Sequence, residues 1–359
     1  MKLVDLFSGC GGFSLGAHQA GFDVVAAFDV DPNLTYSFAR NFPGTDLHLR
    51  DLTQLTGADL LASAGGRIDG VFGGPPCQGF SDIGRRAADD PRRQLLGHFF
   101  RLVSEVQPAF FVMENVRGLA YHDARHVLDG ALDLVRDRYE LLGPLILDAS
   151  TFGAATRRHR LFVVGVHKDR GDPLALDDVD ARKTSATDVA AAIADLADAV
   201  RVDDRDGYDV WKLKAGADLT SYAAGMRTRD AHITGHLPTA HAPAIVQRFA
   251  ALPPGKVDAI GRHHKLAWAG QCPNLRAGTG AERGSFQSVR PIHPNDPRVI
   301  TVREAARLQG FPDEHRFHPT IWHSFRMIGN SVSPIIAREL FSAIAIKFGM
   351  EPGMAVAAE

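Results

Sequence analysis

Cys77 stands directly behind two prolines, Pro75 and Pro76, where an apolar run over residues 68–72 gives way to glycine. A strand that stops so abruptly presents a thiol at its carboxyl edge, the edge at which open α/β sheets bind their ligands. A thiolate in that place is a candidate nucleophile. Alone, the residue reads first as a small core side chain. Its company in the chain changes that reading. Asp5-Leu6-Phe7-Ser8-Gly9-Cys10-Gly11-Gly12 precedes it, and Glu114-Asn115-Val116, Arg158-His159-Arg160 and Gly329-Asn330-Ser331-Val332 follow. Glu114 ends an apolar run, an expensive place for a carboxylate that is not used. Arg160 opens another such run with a guanidinium able to meet a carbonyl oxygen. The competing assignment for Glu114 is a buried ion pair with one of these arginines.

The glycine-rich segment between an apolar run and a helical pattern has the form of a nucleotide loop. Glycines let the backbone turn tightly against a ligand, and the helix that follows offers free N–H groups to a carboxylate or phosphate. The spacing departs from Gly-x-Gly-x-x-Gly, which lowers the dinucleotide reading without removing nicotinamide or flavin. Asp29 closes the second apolar run, where an acid accepts hydrogen bonds from ribose hydroxyls. A helix cap or turn residue is the rival assignment for it.

These side chains need a frame. In the first third of the chain short apolar runs alternate with helical periodicity, the pattern of a parallel, doubly wound α/β sheet. Residues 3–7, 24–28, 70–73, 110–113 and 160–166 read as strands, and residues 14–20, 32–41, 95–105 and 124–137 as helices. After His167 the texture changes. Residues 186–200 look helical, and from there to residue 297 Gly, Pro and His recur without a period, as in a smaller irregular domain. Thr301 is an N-cap for a helix over residues 300–308. Residues 333–348 form a last amphipathic helix expected to return to the first domain. The division expected is a catalytic and cofactor-binding domain over residues 1–167, completed by 326–350, a second domain over 168–325, and a tail over 351–359.

Composition, 45% hydrophobic and 23% charged, is that of a globular protein with material for a core. No apolar run approaches a bilayer span and no signal peptide is read, so no membrane partner is expected. The three cysteines lack paired or metal-like spacing, which argues against a disulfide framework and a zinc site and for a cytoplasmic home. Net charge is only −2, but it is unevenly spread. Residues 201–300 carry fourteen Lys/Arg against nine Asp/Glu, a surplus of five, while residues 1–200 carry twenty against twenty-seven. A basic segment behind an acidic half suits a protein that meets a polyanion on one face.

The ordered motifs together resemble the DNA (cytosine-5)-methyltransferases of bacterial restriction-modification systems, from Lys2 to about Lys347, with residues 168–240 unmatched. The fold implied is the mostly parallel sheet of the S-adenosylmethionine-dependent methyltransferases with a smaller target-recognition domain. The resemblance implies a methyl transfer from S-adenosylmethionine, leaving S-adenosylhomocysteine, to carbon 5 of a flipped-out cytosine in double-stranded DNA. Cys77 would attack C6, Glu114 would bond N3 and the exocyclic amine, Arg160 would contact O2, Arg158 would support the site, and the Pro76 carbonyl would read the amine. Phe7 would pack on the adenine, Asp29 would hold the ribose, and Asp51 and Leu52 would meet the adenine edge. Ser8, Gly9, Gly11, Gly12, Val30, Pro75, Asn330, Ser331 and Val332 would complete the cofactor pocket. Val30 offers less stacking area than the bulkier residue of many relatives, and Thr156 stands where a glutamine is usual.

The loop over residues 79–94 is a candidate lid over DNA, with Gln78, Ser81, Ile83, Arg85, Arg86 and Arg92 as contacts. Base reading is expected from residues 263–290, through Arg276, Arg283 and Gln287. The helix and turn of Arg303 to Pro312 look structural. The partners implied are double-stranded DNA and a cognate restriction or defence system, with the chain a monomer. Two rival functions are an RNA cytosine-5 methyltransferase and a non-catalytic DNA-binding regulator of the same fold; the second predicts decay at Cys77, Glu114 or Arg160, and none has decayed.

Overall fold

The computed structural model describes residues 1–76, 94–215, 219–278 and 289–351. Cys77, Gln78, Ser81, Ile83, Arg85, Arg86 and Arg92 lie outside the described residues, as do Arg283 and Gln287. The chain forms two compact units. One consists of Met1–Asp148, His159–Lys183 and the stretch beginning at Pro334, and the other of Ala149–Arg158 and Thr184–Ser333.

The first unit is a seven-stranded sheet in the order β3-β2-β1-β4-β5-β7-β6. Its strands are β1 (Lys2–Leu6), β2 (Asp23–Asp29), β3 (Asp46–Leu49), β4 (Gly70–Gly73), β5 (Phe110–Val116), β6 (Tyr139–Asp148) and β7 (His159–His167). Neighbours pair in parallel except at β7, which runs against both β5 and β6. This is the mostly parallel, doubly wound sheet expected. Strands covered on both faces read as unbroken apolar runs, and Phe110, Phe111, Val112 and Met113 of β5 are all fully buried. The order reverses between β1 and β4, so the loops leaving those two strands flank a crevice at the sheet's carboxyl edge.

Helices α1 (Gly12–Gln19), α2 (Phe38–Asn41), α3 (Gly57–Ser63), α4 (Gln94–Val106), α5 (His122–Leu132) and α6 (Leu176–Asp180) accompany the sheet. Leu96, Phe99, Phe100, Leu102 and Val103 of α4 are buried, the stripe of an amphipathic helix against a sheet. The helix expected over residues 32–41 shrinks to α2. Asp31 captures the N–H groups of Asn33 and Leu34 with its side chain, at 2.8 and 3.2 Å, and turns the chain there instead.

In the second unit, α7 (Val189–Ile193) is followed by β8 (Val200–Arg205), β9 (Tyr208–Lys212), α8 (Ser221–Met226), β10 (His232–Thr234), α9 (Pro243–Ala251), α10 (Val302–Gln309) and α11 (Ile321–Asn330). The strands form an antiparallel sheet in the order β10-β9-β8. The long helix expected over residues 186–200 is therefore only α7 and a 3-10 turn over Ala194–Leu196, because Ile193 leaves helical dihedrals at φ −133°. Thr301 does cap α10, in a reciprocal box with Glu304. Arg303 and Arg307 of α10 are wholly buried. Arg303 donates to the carbonyls of Thr234, Pro312 and His315, and Arg307 grips Asp313 with two bonds of 2.7 Å and reaches Asp195 at 3.2 Å. The Arg303–Pro312 stretch braces its unit, as expected.

The last helix, α12 (Pro334–Lys347), belongs to the first unit and crosses α1. Gly16 makes the crossing possible, since a Cβ there would sit 2.3 Å from Ala337 Cβ and 2.6 Å from the Arg338 nitrogen. Among the described residues no helix is long and apolar enough to cross a membrane, and no cluster of His, Cys, Asp and Glu is placed to hold a metal ion.

Candidate active site at the carboxyl edge of the sheet

The loop leaving β1 is built from left-handed residues. Phe7 (φ 68°), Gly9 (φ 51°) and Gly11 (φ 82°) all lie in that region, which is costly for phenylalanine and free for glycine. The N–H groups of Phe7 and Ser8 both donate to the Phe28 carbonyl, at 2.9 and 3.0 Å, which fastens the loop to β2. At the end of β2, Asp29 accepts the Gly9 N–H with one oxygen at 2.8 Å and the Val30 and Asp31 N–H groups with the other, at 2.7 and 2.9 Å. Burial nevertheless raises its pKa, the three backbone donors opposing that effect. Asp29 is thus partly the turn residue that the rival assignment proposed, and Oδ2, with one donor against two on Oδ1, keeps a lone pair for a further donor.

Space and unspent polarity meet at this loop. A Cβ on Gly9 would touch nothing within 4 Å, and the Ser8 hydroxyl is buried without a partner among the described residues. Gly12 begins α1, with Gly11 as its N-cap. Val30 is 69% exposed, as a residue facing an open crevice would be. Asp51 caps the turn after β3 by accepting the Thr53 N–H at 2.9 Å, and Leu52 turns its side chain into the core.

Beneath the loop, Ser14 of α1 donates to Asp5 of β1 at 2.5 Å. Asp5 is fully buried and its other oxygen has no partner among the described residues, so desolvation, with a smaller push from Asp29, drives its pKa well above the ordinary carboxylate range. Sequence reading did not single out this pair. A charged residue inside an apolar strand was the available signal.

On the other side of the crevice, β5 and β7 bring two charges together. Val116 pairs with Arg160 in the antiparallel register, so Glu114, two residues earlier, shares Arg160's face as its diagonal neighbour. Arg160 Nε lies 2.9 Å from Glu114 Oε1, and its Nη1 donates to the His159 carbonyl at 2.8 Å. The buried ion pair named as a rival assignment for Glu114 does exist. It sits near the carboxyl end of β5, with both side chains about nine-tenths buried. Asn115 points to the opposite face and donates to the Pro75 carbonyl at 3.1 Å, tying the loop after β4 to β5. A Cβ on Gly74 would stand 2.9 Å from Glu114 Oε2, so the loop reaches Glu114 because glycine is there. Pro76 is the last described residue of this loop, and Cys77 follows it in the chain.

The second unit holds the other motif residues. Arg158 is buried and donates to Asn274 Oδ1 at 2.9 Å, and to the carbonyls of Leu275, Gly329 and Ser331 at 3.1, 2.8 and 2.6 Å. It clamps the segment around Asn274 to the end of α11 and so fixes the backbone on both sides of Asn330. A Cβ on Gly329 would lie 2.2 Å from the Ala277 nitrogen, which accounts for glycine in that motif. Asn330 is exposed, Ser331 donates to the Val332 carbonyl at 2.8 Å, and Val332 is buried. Thr156, in the place of the usual glutamine, is also buried and donates to the Cys272 carbonyl at 3.2 Å. Arg276 is exposed at the rim of a pocket lined by Leu275, Val289, Arg290, Trp322 and Phe325, in which the Arg290 guanidinium lies 4.2 Å from the Phe325 ring centre.

Comparison with known proteins agrees with this arrangement. A family model described as C-5 cytosine-specific DNA methylase matches residues 1–345. The chain is 44% identical to the Type II methyltransferase M.XorII of Xanthomonas oryzae pv. oryzae, over 93% of this chain and 82% of that one. It is 31% identical to the Type II methyltransferase M.DdeI of Desulfomicrobium norvegicum, over 97% and 89%. A solved chain encoded within an E. coli prophage, described as a DNA modification methyltransferase, superposes with a TM-score of 0.84 at 38% identity, covering 97% of this chain and 99% of that one. The S. pombe Dnmt2 methyltransferase shares the fold, with a TM-score of 0.59 at 20% identity, over 96% and 98%. With the family model spanning nearly its full length and relatives this similar over most of theirs, the chain belongs to the C-5 cytosine-specific DNA methylases.

Proposed function

We propose that this DNA methyltransferase uses S-adenosylmethionine to methylate carbon 5 of a cytosine flipped out of double-stranded DNA, through a covalent bond from Cys77 to C6. The observation that carries the reading is the Glu114–Arg160 pair, held 2.9 Å apart on one face of the sheet and beside the Gly74-Pro75-Pro76 loop that leads into Cys77.

The chemistry asked of these residues follows from the base. Cytosine C5 is a weak nucleophile. Addition of the Cys77 thiolate to C6 pushes the ring electrons toward C5, and Glu114 supplies a proton or hydrogen bond at N3 as they move. Arg160 directs its remaining N–H groups to O2 and keeps Glu114 oriented. Once C5 carries the new methyl group it loses its proton to a base, with water the candidate, and the ring electrons return to expel the thiolate. The proton lent to N3 returns to Glu114, and Cys77 is left as the thiolate that began the cycle.

S-adenosylmethionine, when bound, supplies a methyl group on a good leaving group. The residues present suit it. Asp29 has acceptor capacity for ribose hydroxyls, the unpartnered Ser8 hydroxyl and the open space over Gly9 face a ligand, and Gly11 and Gly12 begin a helix. Phe7, Val30, Asp51 and Leu52 would border the adenine, with Asn330, Ser331 and Val332 at the methionine end. We assign target reading to residues 168–325 and catalysis to residues 1–167 with 326–350, the chain acting as a monomer beside a cognate restriction or defence system.

The test offers the protein labelled cofactor with duplex DNA or with transfer RNA, then locates the methyl groups. Label in DNA, as 5-methylcytosine in one sequence context, is the expected outcome. Label confined to RNA, or on an exocyclic nitrogen, would overturn the reading.

A further inference from the structure

We propose that the turn over residues 258–263 is a DNA-reading prong, in which Ile260 presses on a thymine methyl in the major groove and Arg262 holds the neighbouring phosphate. The proposal rests on the function above and adds a specificity-determining element to it; the sequence pattern had not marked Ile260.

The backbone of this turn is tied down on every side. Val257 and His264 form an antiparallel bridge. Above it the Asp258 N–H donates to the His263 carbonyl at 2.7 Å, and the Arg262 N–H to the Asp258 carbonyl at 2.9 Å. Asp258 accepts the Gly261 N–H at 2.6 Å with one oxygen and pairs with Arg248 at 2.9 Å through the other. A Cβ at position 261 would be 2.6 Å from His263 Cδ2 and 2.8 Å from Asp258 Oδ2, so a larger residue there would displace those side chains. Arg262 takes a left-handed φ of 60°, a conformation that an arginine keeps only when its surroundings impose it.

What this fixed turn displays is apolar and cationic. Ile260 is 68% exposed, and Val257, on the same hairpin, is 51% exposed. Lys256 and Arg262 are exposed as well, and neither meets a carboxylate among the described residues, the nearby Asp258 being engaged by Arg248. A lone exposed isoleucine means little. Between two uncompensated cations at the tip of a rigid turn, it has the chemistry of a groove reader: positive charge for phosphates and an aliphatic surface for a base methyl. The surrounding residues 201–300 carry fourteen Lys/Arg and nine Asp/Glu, so the surplus of five favours a polyanion over a protein surface as the occupant.

The base of the hairpin is fastened to the chain that leaves the expected recognition segment. His263 Nδ1 lies 2.7 Å from the Arg290 carbonyl, Lys265 bridges Ile292, and the Leu266 N–H donates to the Ile292 carbonyl at 2.9 Å. A prong rooted there shares its footing with Arg290, and its position is set mainly by backbone bonds.

The full-length protein, its Ile260→Ala variant and its Arg262→Ala variant are each reacted with duplex libraries in which thymine is replaced by deoxyuridine one position at a time. Ile260 projects into solvent, so the alanine variant should melt with the wild type, which a thermal scan checks. The wild type should lose about fourfold in methylation rate at one thymine position when its methyl is removed, the worth of one buried carbon. Ile260→Ala should show no such loss. Arg262→Ala should keep the target sequence and lower the slope of log affinity against log salt by about 1. A wild type that methylates DNA yet ignores the thymine methyl everywhere, with an unchanged target in Ile260→Ala, overturns the prong alone. A wild type that methylates no DNA overturns the function beneath it.

Discussion

Buried charge is handled in two ways in this molecule. In the second unit, Arg158, Arg303 and Arg307 are sunk in protein and their guanidinium N–H groups meet carbonyls and carboxylates of their own unit. In the first, Asp29 and Glu114 are also buried, but Asp29 ends its strand and Glu114 stands two residues before the end of its own, where Gly74 leaves room for its Oε2. Two positions separate Arg158 from Arg160 in the chain, and the contrast runs between them. The first clamps backbone, and the second faces a carboxylate at the sheet edge. A buried charge spent on backbone carbonyls holds a structure together, whereas one beside a loop at the carboxyl edge is placed to meet a substrate.

Glu114→Gln is the sharpest way to break the contrast. It leaves the shape and removes the acid, so turnover should fall about 100- to 10,000-fold with cofactor affinity nearly unchanged. An unaltered rate would place Glu114 with the structural charges. Arg307→Ala probes the other side. Stripping one member from a buried charge cluster costs about 3–5 kcal/mol, which should appear as a large drop in melting temperature, and the variant that remains folded at low temperature should retain catalysis. Smaller again is Gly74→Ala. Its methyl group would push on Glu114 Oε2, and a displacement of a few tenths of an ångström should slow turnover about tenfold without weakening cofactor binding.

Single buried groups should answer pH with opposite signs. Burial raises the pKa of Asp5 above its model-peptide value of 3.8. The folded state therefore binds that proton more tightly than the unfolded chain, and the first unit should lose stability as pH rises through the folded value. Asp5→Asn should reduce this loss, leaving the smaller one from Asp29, whose pKa burial also raises. In the second unit, burial lowers the pKa values of His236 and His293 below 6.5, against Glu304, which raises both, and with Arg298 and, for His293, Asp296 and Lys265 nearby. Here the unfolded chain binds protons more readily, so stability should fall as pH drops below about 6.5. Hydrogen exchange resolved by segment would show both trends, and an unchanged pH dependence around β1 in Asp5→Asn would refute the assignment.

The alternation of apolar runs and helical periods located the seven-stranded sheet well, because parallel strands buried on both faces leave little choice of residue. Glu114, Arg160 and Asp29 were legible for the related reason that a charge in an apolar strand is conspicuous. The failures were local or tertiary. Asp31 outbid the helix expected over residues 32–41 with side-chain bonds to two backbone N–H groups. Arg158, expected to support the site, was legible as a residue but not in its partners, since no periodicity foretells which carbonyls a guanidinium will meet. The turn around Ile260 was invisible for the same reason: its rigidity comes from Asp258, Gly261 and Arg248 acting together.

The central claim is that the loop after β4 carries the nucleophile to a cytosine held by Glu114 and Arg160. Duplex DNA with 5-fluorocytosine at the target tests it most directly, because fluorine at C5 blocks the loss of a proton that frees the thiol. Wild-type protein should form a denaturant-stable adduct with this DNA only when the cofactor is present, and Cys77→Ala should form none. An adduct that persists in Cys77→Ala, or its absence from a wild type that methylates ordinary DNA, would contradict the claim.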